Sequence, residues 1–392
     1  MTDPLRLSAR GMALQPSLTL AISARARQLR DDGHDICSLS AGEPDFDTPR
    51  FIREAATAAL EAGQTRYGPV AGEPALRRAI AAKMTGENGV ATDAAQVLVT
   101  NGGKQALFNL FQVLLQPGDE LLLPAPYWLS YPEMASLAGA SVTAIPTMAE
   151  EGFRLSASQL EEAITPASRL LVLNTPGNPT GTVLSRHDLE AIAGVLRRHP
   201  GVAVVCDEIY EFLVAPGREH LSLAAVAPDL ASRIFVVNGF AKGWAMTGWR
   251  VGWLAGDKGV IKAAAALQSQ STSNVCSFVQ FGALAAIEGS RQEVQRMAME
   301  FNRRRTLLSQ GLRAIPGVNL AEPEGAFYAF PDLSAWGISS MEICNRLLDE
   351  VGLAVVPGIA FGDDRCIRLS CAASPATLED GLDRLRRFHA GL

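Results

Sequence analysis

The sequence has no paired cysteines, no long basic run, no apolar leader, no bilayer-length span and no repeat, and each gap closes off a class of protein. Its six cysteines, Cys37, Cys206, Cys276, Cys344, Cys366 and Cys371, are scattered without a CxxC pair. Neither a zinc site nor a disulfide framework is signalled, so no metal is expected and a reducing cytoplasm fits. A net charge of −6 and a pI near 5.5 give no general attraction to nucleic acid or to an anionic membrane. Any anion site must therefore be local. The first residues, Met1 to Arg10, carry charges where a signal peptide needs an apolar core, and secretion is not expected. Ala263 to Ile287 is free of charge, yet Gln268-Ser-Gln-Ser-Thr-Ser-Asn274 in its middle is too polar for a bilayer, so no membrane partner is implied.

What is present is apolar content and a regular alternation. With 392 residues, 48% of them hydrophobic, the chain exceeds one ordinary core and should form a large domain with a smaller partner. The early part reads as a helix from Thr19 to Asp31, a short apolar piece at Ile36 to Leu39, and an irregular loop from Ser40 to Pro49. Asp47 or Thr48 is placed to start a helix that runs to about Leu60. From Gln96 onward short apolar runs recur: Val97–Val99, Glu120–Leu123, Ser141–Ile145, Arg169–Leu173, Val202–Cys206, Ile234–Val237 and Val251–Leu254. Amphipathic helical patterns lie between most of them, which argues for an α/β fold with a mostly parallel sheet sandwiched by helices. Lys258 to Arg313 is helical, and the chain from Gly317 onward mixes short strands and helices. The expected division is a large domain over 46–290 and a smaller α/β domain from 1–45 and 291–392.

Chemistry-bearing residues follow the strands, where loops commonly carry function. Lys242 leaves the strand Ile234–Val237 in a loop crowded by Gly239, Ala241, Gly243 and Ala245, with Trp244 and Trp249 nearby. Apolar surroundings disfavour the ammonium and make a lysine nucleophilic, although a surface lysine in a glycine-rich turn has the same sequence. Asn101-Gly-Gly-Lys104 opens a helix, so its backbone N–H groups offer a phosphate site or merely a strand-to-helix turn. Asn174-Thr-Pro-Gly-Asn-Pro-Thr-Gly181 can aim the Asn174 and Asn178 amides inward, or be a polar turn. Asp207, directly after an apolar strand, either caps the next helix or meets a buried positive partner. A protonated pyridine nitrogen would be such a partner, its pKa raised by about 1–3 units on contact.

Taken together these stretches resemble a class I aminotransferase of fold type I, a pyridoxal-phosphate enzyme, over nearly the whole chain from Gln15. The resemblance rests on GEPDF at Gly42 to Phe46, NTPGNPTG at Asn174 to Gly181, DEIY at Asp207 to Tyr210, and Lys242 followed eight residues on by Arg250. It implies that Lys242 forms the Schiff base with pyridoxal 5'-phosphate and then moves the substrate proton. It further implies that Asp207 pairs with the ring nitrogen, that Tyr210 and Asn178 bond the ring's phenolic oxygen, and that Trp128 stacks on the ring. Gly103, Lys104 and Arg250 would hold the phosphate, joined by Tyr67 from the neighbouring subunit of a homodimer with shared sites. Arg368 would fork onto the substrate α-carboxylate beside the Gly42 N–H, with Trp128 and Asn178 bordering the same space. Apart from the resemblance, Trp128 also suits a core position and Arg368 a strand surface. Many relatives have a serine three residues before the lysine; this chain has Gly239, which leaves the phosphate to its other ligands.

The implied reaction is ping-pong transfer of an amino group from an amino acid to a 2-oxo acid. VTNGGKQALFNLFQ at Val99 to Gln112, PYWLSYPEM at Pro126 to Met134 and AMTGWR at Ala245 to Arg250 resemble the bacterial aspartate type, in the branch that includes users of prephenate. There Lys104, with Ser17 and Thr19, would bind the distal carboxylate of aspartate or glutamate. Ser17 and Thr19 are equally placed to cap the following helix, and Lys104 to serve as a phosphate ligand or face solvent. The same scaffold also carries aminotransferases for neutral or aromatic amino acids and enzymes of β-elimination, whose core residues are nearly shared. A regulator that senses pyridoxal phosphate would need an attached DNA-binding domain, for which the short N-terminal segment leaves no room.

Overall fold

The computed structural model describes residues 7–8, 11–12, 14 and 18–392. Ser17 lies outside the described residues. The first long helix, Leu18–Asp31, leads to the short strand β1 (Cys37–Ser38) and then to helices Arg50–Glu61 and Pro74–Gly86. The helix after the irregular loop is not started by Asp47 or Thr48: Pro49 is its N-cap and makes no side-chain cap bond. Thr48 is drawn elsewhere, its hydroxyl donating to the Ala245 carbonyl at 2.6 Å and accepting from Trp249 Nε1 at 3.0 Å.

Each of the seven apolar runs becomes a strand of one sheet: β2 (Val97–Thr100), β3 (Glu120–Ala125), β4 (Ser141–Pro146), β5 (Ser168–Asn174), β6 (Ala203–Asp207), β7 (Ile234–Gly239) and β8 (Gly252–Ala255). The strand order is β2-β8-β7-β6-β5-β3-β4. All run parallel except β8, which is antiparallel to both β2 and β7. The inner strands read as continuous Val/Leu runs because helices cover both faces of the sheet. Leu170 to Leu173 illustrates this, each residue being 2% exposed or less. Burying four such side chains stabilises the fold by roughly 6–12 kcal/mol before ordering entropy is subtracted.

The reversed strand has a geometric consequence. Because β8 runs against its neighbours, its start lies at the same edge as the ends of β2 and β7, and Gly252 pairs with both Thr100 and Gly239. The segment between β7 and β8, which holds Lys242 and Arg250, therefore leaves and re-enters the sheet at one edge. There is no room for a side chain where it closes: a Cβ on Gly239 would come 3.0 Å from Gly252 Cα, and one on Gly252 2.8 Å from Gly103 N.

The helices Lys258–Ser269, Ser277–Glu288 and Gln292–Arg313 follow. The remaining chain builds β9 (Tyr328–Ala329), β10 (Leu353–Ala354), β11 (Val356–Pro357) and β12 (Ile367–Ser370) with helices Ser340–Val351 and Pro375–Ala390. In this part β11, β12 and β9 pair antiparallel, and β10 pairs parallel with β1. A core of its own gathers Leu39, Phe301, Phe327, Leu347, Leu369 and Leu385. Among the described residues no helix is long and apolar enough to cross a membrane, and no cluster of His, Cys, Asp and Glu could hold a metal ion.

Candidate active site

The site is assembled at the carboxyl edge of the large sheet. Asp207 and Asn174 are the last residues of β6 and β5 and pair across the ladder. The Asp207 carboxylate is buried and accepts from the Tyr131 hydroxyl at 2.7 Å and the Ile209 N–H at 3.3 Å. Burial pushes its pKa up to about 6, against the pull of those two donors. Tyr131 stays a donor because burial, and then Asp207 itself, holds its proton far above the ordinary tyrosine range. The adjoining loop is fixed by Asn174, whose Nδ2 donates to the Asp207 carbonyl and whose Oδ1 accepts from the Asn178 N–H.

Lys242 stands on the segment between β7 and β8, with Nζ donating to the Gly42 carbonyl at 2.5 Å. Its ammonium lies 5.8 Å from the centre of the Tyr210 ring and 5.7 Å from that of Phe327. Desolvation lowers its pKa to about 8; Arg368 and Arg250 push the same way, while Glu43 and Asp207 oppose them. At pH 7.5 about a quarter of such amines are neutral, against roughly one in a thousand for an ordinary lysine. The backbone around it is strained, with left-handed φ of 51° at Ala245 and 53° at Arg250.

Opposite this segment, the helix Gly103–Leu114 begins at Gly102, whose φ of 82° admits glycine readily. A Cβ on Gly102 would also come 2.8 Å from Arg250 Nη2. The first N–H groups of the helix, at Gly103 and Lys104, have no acceptor within it, so they and the Arg250 guanidinium form an anion cup. Lys104 Nζ sits 4.8 Å from the centre of the Trp128 ring, and burial, then Arg250, lowers its pKa. Trp128 meets Tyr131 edge to face at 5.3 Å.

Across from the sheet edge, Arg368 in β12 is 2% exposed, not on the strand surface. It donates to Asn178 Oδ1 at 3.0 Å and to the Ser40 carbonyl at 3.2 Å, and lies over the Tyr328 and Phe361 rings. Its Nε is buried with no partner among the described residues. Tyr210 shares a 3.0 Å bond with Tyr328. The Gly42–Glu43 stretch closes the space, Glu43 accepting from the Thr247 hydroxyl at 2.6 Å.

The fold thus brings Gly42, Asn178, Asp207, Tyr210, Lys242 and Arg368 around one space, with Gly103, Lys104, Trp128 and Arg250 bordering it. Tyr67 is not brought in: its side chain is 93% exposed and bonds to none of these residues. Thr19 lies in the first turn of its helix, and its hydroxyl is buried without a partner among the described residues. Tyr131, Tyr328, Ser40 and Phe361 were not expected from sequence. Tyr131 stands inside the PYWLSYPEM stretch and could have been suspected; the others come from a short strand, a loop and a single 3-10 turn with no local signature. The space can hold an anion at the cup, a cation beside Asp207 and a carboxylate at Arg368.

A family model described as aminotransferase class I and II matches residues 34–385. Aspartate aminotransferase of Geobacillus stearothermophilus is 41% identical over 98% of this chain and 99% of its own length. Aspartate/prephenate aminotransferase of Thermus thermophilus is 46% identical, over 97% and 98% respectively. Among solved structures, the Thermus thermophilus aspartate aminotransferase with maleate superposes with a TM-score of 0.93 at 46% identity, covering 98% of this chain and 99% of that one.

Proposed function

The chain belongs to the class I and II aminotransferases, and from that membership we propose that its site uses pyridoxal 5'-phosphate to move the amino group of aspartate or glutamate to a 2-oxo acid. The observation that carries the cofactor assignment is a buried carboxylate, Asp207 at the end of β6, facing the same space as the desolvated Lys242 amine. Among the described residues the buried Asp207 carboxylate has no contacting cation, which a protonated ring nitrogen would supply, and Arg368 Nε has no partner, which fits a carboxylate; the anion cup fits the phosphate. When bound, pyridoxal phosphate supplies an electron-withdrawing ring that stabilises negative charge at the amino acid's α-carbon.

The residues of the chain do the rest. Arg368, locked between Tyr328 and Phe361, forks onto the α-carboxylate and fixes which substituent faces Lys242. With the cofactor bound, Lys242 Nζ would take the α-proton and give it back on the same face, a role its lowered pKa suits. Tyr131 holds the Asp207 carboxylate in place; Asp207 would pair with the ring nitrogen, Asn178 and Tyr210 would bond the phenolic oxygen, and Trp128 would cover the ring face. Gly42 lines the carboxylate end.

Specificity for a second carboxylate rests on Lys104, an ammonium beside Trp128, and on the Thr19 hydroxyl, which is buried without a partner among the described residues. Ser17 would join them. The Thermus relative whose structure carries maleate, a dicarboxylate, supports this choice. We further propose a cytoplasmic homodimer in which the exposed Tyr67 completes the partner's phosphate cup, and a division into a large domain (46–290) and a small one (1–45 with 291–392). A panel of amino donors with 2-oxoglutarate as acceptor tests the function. Aspartate and glutamate should lead; a preference for neutral donors would end the dicarboxylate assignment, and ammonia with pyruvate released without an acceptor would end transamination. Prephenate, named for the Thermus relative, is the second acceptor to try.

A further inference from the structure

We propose that a buried ion pair between Glu208 and His220, which the reaction never touches, positions Asp207 from behind the site. The last residue of β6 and the one after it face opposite ways: Asp207 looks into the site and Glu208 away from it. The Glu208 side chain is 2% exposed and that of His220 7%, and Oε2 and Nε2 lie 3.3 Å apart. The Glu208 N–H donates to the Val237 carbonyl at 2.9 Å, tying this turn to the strand that leads to Lys242. Three residues on, the buried Glu211 accepts from Lys83 Nζ at 2.9 Å and Asn88 Nδ2 at 2.7 Å.

The charges show why the histidine matters. Two carboxylates, Glu208 and Glu211, are buried behind the turn, and one ammonium, Lys83 from the helix Pro74–Gly86, is buried with them. The balance closes when His220 is an imidazolium. Burial works against that proton and Lys83 repels it, but Glu208 and then Glu211 outweigh both and raise the His220 pKa. Glu208 Oε1 and both ring nitrogens of His220 make no hydrogen bond among the described residues, so the 3.3 Å charge contact is what compensates each group. Losing the imidazolium proton leaves an unbalanced carboxylate one residue from Asp207. Relief comes by turning Glu208 away from its buried place, which loosens the turn that aims Asp207 and Tyr210. His220 is thus a positioning residue. This inference rests on the reading of Asp207 as the partner of the cofactor ring.

The test uses the full chain. With carbon-13-labelled histidine, the His220 resonance is identified by its loss in His220→Gln; it should report an imidazolium at about pH 7 that titrates above the ordinary histidine range. In Glu208→Gln that proton should be lost at lower pH. Each single variant should weaken pyridoxal phosphate binding by at least about tenfold, because it strands a buried charge, and the double variant Glu208→Gln/His220→Gln should recover most of the loss. A merely structural role would give a double variant no better than the worse single one. That result, a neutral His220 at about pH 7 in the wild type, or wild-type cofactor affinity in the single variants would overturn the proposal. A wild-type chain that binds no pyridoxal phosphate would instead overturn the reading of Asp207, on which the imidazole titration does not depend.

Discussion

Replacing Asp207 by asparagine should make the cofactor-free chain more stable and the enzyme far worse. Burial lifts the Asp207 carboxyl from 3.8 to about 6. That difference of about 2 units corresponds to roughly 3 kcal/mol. Between the two values the folded chain holds a proton that the unfolded chain has released. Stability contributed by this group therefore falls as pH rises from about 4 to about 6, and the whole cost is present above that window. Asparagine brings no charge to bury, and its amide oxygen can still accept from Tyr131. At about pH 7.5 the variant should gain up to roughly 3 kcal/mol, which for the unfolding entropy of a chain this long is about 3–4 °C in the midpoint. Pyridoxal phosphate should reverse the order, since its ring nitrogen gives the wild-type carboxylate the cation it lacks. The assay is thermal unfolding followed by circular dichroism, with and without cofactor, at several pH values from about 4 to about 8. A cofactor-free variant no more stable than wild type at about pH 7.5, with an unchanged slope between about pH 4 and 6, would refute the reasoning.

Three further outcomes are expected. Lys242→Ala should abolish turnover with the fold intact, borohydride should fix the cofactor to Lys242 in the wild type, and in the cofactor-free chain amine-reactive labelling of Lys242 should reach half its limiting rate near pH 8; a label on another lysine is the contrary result. Lys104→Ala should cost aspartate and glutamate roughly 10- to 150-fold in kcat/KM and leave alanine nearly untouched, because one charge-assisted bond is worth about 1.5–3 kcal/mol. Equal losses on both substrate types would place Lys104 at the phosphate instead. Mixed dimers of Tyr67→Ala and Lys242→Ala subunits should regain activity through one intact site, and no recovery after proven subunit exchange would count against shared sites.

Much of the architecture was legible because fully covered parallel strands need uninterrupted apolar runs, and each run from Val97 to Leu254 became a strand. Lys242, Asp207 and Asn178 could be singled out as candidates since each ends or follows a strand in a motif of fixed spacing. The reversal of β8 could not be read, as a short apolar run carries no sign of its direction. Thr48 was misjudged for a related reason: a threonine before Pro49 looks like a helix start, and only the packed chain shows its hydroxyl committed to Ala245 and Trp249. Tyr328, which encloses Arg368 from one side, lies forty residues away in sequence, and their contact exists only once β9 and β12 have paired.

The ladder contact between Gly239 and Gly252 has a bearing on engineering. Because the twelve-or-so residues between them begin and end on neighbouring strands, their ends are held at a fixed spacing whatever the interior contains. The stretch can be treated as a removable cassette. Swapping it for the matching stretch of another family member should transplant the lysine and its local electrostatics without disturbing strand register, provided both boundary glycines stay, whereas a graft cut inside either strand would shift the pairing and lose the edge.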